Sequence, residues 1–224
     1  MELSLKILAD GLISYLCFLI VLAFHESGHA WMAWKRGDPT AKMLGRVSLN
    51  PIVHIDFVGT ILLPLLGIFL SASGSSAARF VIGWGKPVPV NSSYFKNRRL
   101  DNMLVGLAGP FMNIAIAFLA IALANIGMII KSEMLIELCY RLTFISLFLC
   151  FFNLLPIPPL DGSHVLSYLL RMSDEAYATI ARFGFIIIII VIQIPVVNFA
   201  LSFLTRYTFN LIHSLVNFSR FFAS

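Results

Sequence analysis

Apolar residues fill long, nearly unbroken blocks of this chain, and polar residues gather in the short stretches between them. The first block, from about Ile7 to Trp34, is long enough as a helix to cross a hydrocarbon core of ~30 Å at ~1.5 Å per residue. Lys35-Arg36-Gly37-Asp38-Pro39 ends it with charge, glycine and proline. Residues 40–50 alternate weakly in polarity after Gly45, which suits a short strand near the membrane surface or an irregular loop. The next block, Phe57 to Leu70, is broken by Gly59, Pro64 and Gly67, and a second apolar run, Phe80 to Trp84, leads into Gly85-Lys86-Pro87-Val88-Pro89-Val90. Basic residues on both flanks favour a re-entrant or two-leg hairpin here over a single crossing. Met103–Ile130 and Met134–Asn153 read as antiparallel spans joined by a short turn. Two further spans are predicted over Ile180–Val197 and Ala200–Phe222. The pattern therefore predicts an all-α polytopic membrane protein, a bundle of about five to six transmembrane helices with a re-entrant hairpin and short membrane-associated strands.

Composition strengthens this picture. The 224 residues are 59% apolar and only 12% charged, against ~25% charged in an ordinary soluble domain. The net charge of +5 does not point to nucleic acid, because the basic residues are spread over short loops between apolar spans, as in multi-pass proteins. Cys17, Cys139 and Cys150 lie in apolar stretches without CxxC spacing and read as lipid- or core-facing thiols. The first block is too long for a cleaved signal peptide and has no small-residue cleavage site after it. With no polar linker, residues 1–224 read as one integral-membrane unit, with a catalytic core over about 7–165 and accessory helices over about 178–222.

The chemistry-bearing stretch is Ala23-Phe24-His25-Glu26-Ser27-Gly28-His29-Ala30. On a helix, His25 and His29 stack one turn apart on one face, so both imidazoles can reach one metal ion, with the Glu26 carboxylate close enough to take a proton from water on that metal. Three titratable groups on one turn of an apolar helix are costly without a purpose. A catalytic zinc needs a third protein ligand and an open position. Asp161 is the best candidate by elimination. The other acids near apolar spans sit mostly beside loops, whereas Asp161 follows Pro156-Ile157-Pro158-Pro159, which cannot continue a helix, and precedes Gly162, which permits a turn back into the bundle. Zn²⁺ with neutral His25 and His29 and anionic Glu26 and Asp161 sums to zero charge, which a low-dielectric site tolerates.

HExxH in a first span, Ala108-Gly109-Pro110-Phe111-Met112-Asn113 opening another, and Asn153-Leu154-Leu155-Pro156-Ile157-Pro158-Pro159-Leu160-Asp161-Gly162 ending a third together resemble the site-2 protease family of intramembrane zinc metalloproteases. The resemblance covers about residues 20–165 and is closest to compact prokaryotic-type members without a PDZ domain. It implies one Zn²⁺ held by His25, His29 and Asp161, and Glu26 as general base. It also implies that Asn153 holds the scissile carbonyl or the oxyanion. The expected substrate is a transmembrane protein or peptide, cleaved near the cytosolic face of a prokaryotic plasma or inner membrane. The helix that usually precedes the HExxH helix in the family is missing from this pattern.

Several residues stay open at this level. His54 could fold back as an auxiliary ligand or transition-state donor, or simply cap the hairpin at the interface. Asn113 suits an interhelical tie rather than a ligand. His164 reads as a helix-start neighbour, His213 has no evident partner, and Trp31, Trp34 and Trp84 fit an interfacial aromatic belt. Ser27 and Gly28 are small enough to let another helix or a substrate close on the metal. The alternative function is a membrane metal or proton transporter, or a non-proteolytic metal-binding protein. A transporter would predict acidic or histidine residues spaced through several spans and paired half-helices, and the later blocks show little of either.

Overall fold

The structure is a computed structural model that describes residues 2–80 and 83–216. The predicted run Phe80 to Trp84 and the tail of the last predicted span fall partly outside those residues. Nine α-helices are seen among the described residues: α1 (Glu2–Lys35), α2 (Thr40–Met43), α3 (Leu63–Ala72), α4 (Arg98–Ile129), α5 (Glu133–Asn153), α6 (Gly162–Leu169), α7 (Asp174–Ala181), α8 (Gly184–Val191) and α9 (Pro195–Val216). Three of them, α1, α4 and α5, are long and apolar enough to cross a membrane, and α8 with α9 would make a fourth span bent by 81°. The chain is an integral membrane protein.

α4 is the centre of the bundle. One face carries Gly106, Ala108, Gly109, Ala117, Ala120 and Ala124, all buried, so that α1 and α5 approach it closely. Ala117 and Ile121 of α4 pack with Leu147 of α5 and Ile212 of α9. Two hydroxyls inside the bundle are satisfied by backbone: Thr143 Oγ1 donates to the Cys139 carbonyl and Ser146 Oγ to the Asn113 carbonyl. Leu16, Ile20, Phe111, Leu119 and Phe148 are exposed, as lipid-facing side chains are. All three cysteines are buried and free. A turn at 130–132 reverses the chain, and Ser132 Oγ caps α5 by accepting from the Leu135 N–H. α1 ends beside the start of α4, where Arg36 meets the fully buried Asp101 at 2.5 Å.

Three sequence expectations change. No strand forms among the described residues. Residues 40–43 make a helical turn because Asp38 Oδ1 accepts from both the backbone and the hydroxyl of Thr40. Residues 85–90 are extended but build no ladder, since Pro87 and Pro89 have no N–H to give. Among the described residues the two predicted C-terminal spans take another form: the isoleucine run yields only the eight-residue α8, ~12 Å long, before the chain bends by 81° into α9 at Pro195. His213 does have a partner, the Tyr140 hydroxyl at 3.1 Å.

The 57–90 region doubles back on itself. A π-helical stretch, Phe57–Leu62, runs into α3, and together they give an apolar helix too short to span the bilayer. The returning leg is tied to it: Trp84 N–H donates to the Gly59 carbonyl, and Thr60 Oγ1 donates to the Trp84 carbonyl.

Candidate metal centre

HExxH lies where α1 is pressed against α4. His25, Glu26 and His29 are all buried. A Cβ on Gly28 would collide with the Ala108 carbonyl at 2.8 Å, so the small residue in the motif serves the approach of α4. Gly109 plays the reciprocal part: a Cβ there would stand 2.6 Å from His29 Cε1 and 2.7 Å from His25 Cε1. The Ala108-Gly109-Pro110 motif is therefore the floor on which both imidazoles rest.

Asp161 arrives from the other side. After α5 the proline-rich turn, with its cis Pro158–Pro159 peptide, leads the chain back to the bundle. Asp161 holds the N-cap position of α6 yet makes no capping hydrogen bond, leaving both carboxylate oxygens for other partners. Asp161 Oδ2 lies 3.2 Å from His25 Nε2, Asp161 Oδ1 lies 3.3 Å from His29 Nε2, and the two Nε2 atoms are 3.1 Å apart. Donor atoms at ~2.0–2.1 Å from a tetrahedral zinc stand ~3.3 Å apart, so this triangle fits the ion in size and in ligand type. It is a three-residue group able to hold a metal, as a hydrolytic zinc site requires.

The far nitrogens are held as well. His29 Nδ1 donates to the Val105 carbonyl at 2.7 Å, and His25 Nδ1 lies 3.2 Å from the Asn113 amide nitrogen. Both partners belong to α4. The contact to Asn113 depends on the rotation of α4 against α1, which sequence spacing does not contain.

The group opens on a cavity of about 1170 Å³, above the usual ~300–1,000 Å³ of small-molecule pockets. Glu26, Asn153, Val88 and His164 also line it. Asn153 Nδ2 donates to the Leu149 carbonyl at 2.9 Å, which leaves its second N–H uncommitted. His164 stacks on Tyr177 at 5.6 Å. His54 is not brought to the metal group: it is fully buried in a 3₁₀ turn, with Nε2 donating to the Ser48 carbonyl at 2.8 Å. Burial holds its pKa below the ordinary value, against the opposing pull of the Ser48 carbonyl and the Glu26 charge. Arg46 was not singled out by sequence. Its buried guanidinium donates to the Lys86 and Pro87 carbonyls at 3.0 and 2.9 Å, tying the extended segment beside the cavity.

With this geometry established, comparison with known proteins gives the class. The model of peptidase family M50 matches residues 13–129 and 121–191. The chain belongs to this family, that of the site-2 proteases, and is a membrane-embedded zinc metalloprotease. It is 36% identical over 201 residues to a Bacillus subtilis (strain 168) protein named "Putative zinc metalloprotease YwhC", covering 85% of each chain. It is 29% identical over 203 residues to the similarly named Rip2 of Mycolicibacterium smegmatis, covering 90% of this chain and 72% of that one. No solved structure matches. Membership of a peptidase family sets the transporter alternative aside.

Proposed function

We propose that this protein hydrolyses peptide bonds within or near the transmembrane segments of other membrane proteins, close to the cytosolic face. The observation that carries the proposal is the convergence of His25, His29 and Asp161 at 3.1–3.3 Å beside Glu26, on a spanning helix and facing a large cavity. His25 Nε2, His29 Nε2 and a carboxylate oxygen of Asp161 would hold the ion. Zinc, when bound there, polarises a carbonyl and acidifies water. Glu26 takes the proton from the attacking water and passes it to the leaving amine. The uncommitted N–H of Asn153 donates to the oxygen on which negative charge builds. The extended segment at 85–90 lies along the cavity wall and offers backbone to a substrate whose helix has opened.

The distribution of basic residues supports the orientation. The metal group lies toward the end of the bundle where α1 ends and α4 begins, which gathers Lys35, Arg36, Lys42, Arg46, Arg98 and Arg99, against Lys6 and Lys131 at the opposite end. Positive residues favour the cytosolic side.

Glu26→Gln tests this reading. In detergent or proteoliposomes, with a panel of single-span substrates, the variant should keep one zinc per chain and lose turnover by ~10²-fold or more. Turnover equal to that of the unmutated protein, with zinc retained, would refute the assignment.

A further inference from the structure

Asn113 is fully buried in α4, and its amide nitrogen lies 3.2 Å from Nδ1 of His25. Its Oδ1 is buried without a hydrogen-bond partner. From α5, Ser146 Oγ donates to the Asn113 backbone carbonyl at 2.7 Å and fixes that turn of α4. The hydrolysis described above makes no use of this side chain.

The two histidines are held differently. His29 Nδ1 faces the Val105 carbonyl, an atom that only accepts, so its ring proton sits on Nδ1 and Nε2 keeps a free lone pair. His25 faces an amide, which donates through one atom and accepts through the other. The sense of that contact decides which His25 nitrogen holds the proton. With Nδ2 donating, Nδ1 accepts and the proton sits on Nε2, directed at His29 Nε2 and Asp161 Oδ2 at 3.1 and 3.2 Å. With Oδ1 toward the ring, the proton sits on Nδ1 and Nε2 is free to bind a metal. The two amide orientations differ by a half turn that exchanges nitrogen for oxygen at nearly constant shape.

We infer that Asn113 is a positioning residue of the metal centre: its amide turns Oδ1 to His25 Nδ1–H and so fixes the tautomer in which Nε2 is a ligand. The inference rests on His25 being a ligand. Partners of this kind on the far nitrogen of a ligating histidine are worth ~10–100-fold in metal affinity.

The test is zinc affinity, by competition with a chromophoric chelator, on the full chain in detergent. Asn113→Leu, of similar shape but without an acceptor, should bind zinc ~10–100-fold more weakly. Asn113→Asp, which keeps an acceptor in place, should stay within about three-fold of the unmutated protein. Histidine ¹⁵N spectra of the zinc-loaded protein should show two ligating rings protonated at Nδ1, and the signal of one of them should shift in Asn113→Leu and be restored in Asn113→Asp. Unchanged affinity in Asn113→Leu would overturn the inference, as would an Asp variant as weak as the Leu one. Should the Leu variant not fold, Asn113→Ala takes its place under the same criteria. His25→Ala separates the two levels. If it keeps full zinc affinity, the ligand assignment itself fails; if it loses zinc while Asn113→Leu does not, only the role of Asn113 fails.

Discussion

At the scale of single residues the site is a matter of what is missing as much as of what is present. Gly109 has no side chain, and both imidazoles occupy the space a Cβ would take. Alanine favours a helix over glycine by ~1 kcal/mol, but overpacking a buried contact costs ~1–3 kcal/mol, so Gly109→Ala should keep the helical signal of the apo-protein and lower its thermal transition only slightly. Zinc binding should nevertheless fall at least ~10-fold, because an interatomic overlap at the ligands cannot be relieved without moving them. Normal zinc stoichiometry and affinity in this variant would show that α1 can shift away from α4. Asp161→Ala should remove the third ligand and with it most of the bound zinc; unchanged metal content would remove Asp161 from the site. Much of this was legible in the sequence. The i, i+4 histidines follow from helical geometry alone, and Asp161 stood out because its proline-rich approach differs from that of the other acids. The partners on the far side of each imidazole were not legible. Val105 contributes a carbonyl that every residue possesses, and Asn113 looks like any polar residue in a span until the rotation of α4 is known.

At the scale of elements, the segments that disappointed the sequence reading are those whose partners lie far away in the chain. Residues 85–90 are held extended by the Arg46 guanidinium, by Lys86 N–H donating to the His54 carbonyl, and by Asn91 N–H donating to Asp38 Oδ2 at 2.7 Å. None of these is a strand ladder, and none can be read from the sequence of 85–90 itself. The isoleucine run misled for a related reason: hydropathy marks it as membrane-compatible, but the turns before Gly184 and at Pro195 leave room for only two helical turns. Arg46 is the element-scale test. Arg46→Met removes both donors to the Lys86 and Pro87 carbonyls while keeping an apolar stem of similar length. The extended segment should then loosen, so that chymotrypsin cleaves the Trp84–Gly85 bond several-fold faster and cleavage of membrane substrates slows, with zinc content unchanged. Equal proteolysis rates in both forms would mean that the remaining ties at Trp84, Lys86 N–H and Asn91 hold the segment by themselves.

At the scale of the whole molecule, α1, α4 and α5 form a wall behind the metal group, and the open side is closed by pieces from distant parts of the chain. Trp84, from the returning leg of the 57–90 region, meets Phe185 of α8 edge to face at 6.0 Å between ring centroids. Arg98 at the start of α4 pairs with Asp174 at the start of α7 at 3.2 Å, with both side chains largely exposed. An aromatic edge contact contributes ~0.5–1.5 kcal/mol beyond its buried area, and an exposed ion pair ~0–1 kcal/mol. Together they are weak beside the packing of α1, α4 and α5, so the rim of the cavity should part at smaller cost than the metal triangle. A substrate helix arriving through the bilayer would enter between Trp84 and Phe185. Replacing both with cysteine and joining them with a short bismaleimide should therefore stop cleavage of a single-span substrate by at least ~10-fold, without loss of zinc, while either single cysteine treated alike stays active. The three native cysteines are buried, so labelling should be confined to the new pair. If the cross-linked protein turned over the same substrate at the unmodified rate, entry would have to run over another part of the rim, and the Arg98–Asp174 side would be next to lock.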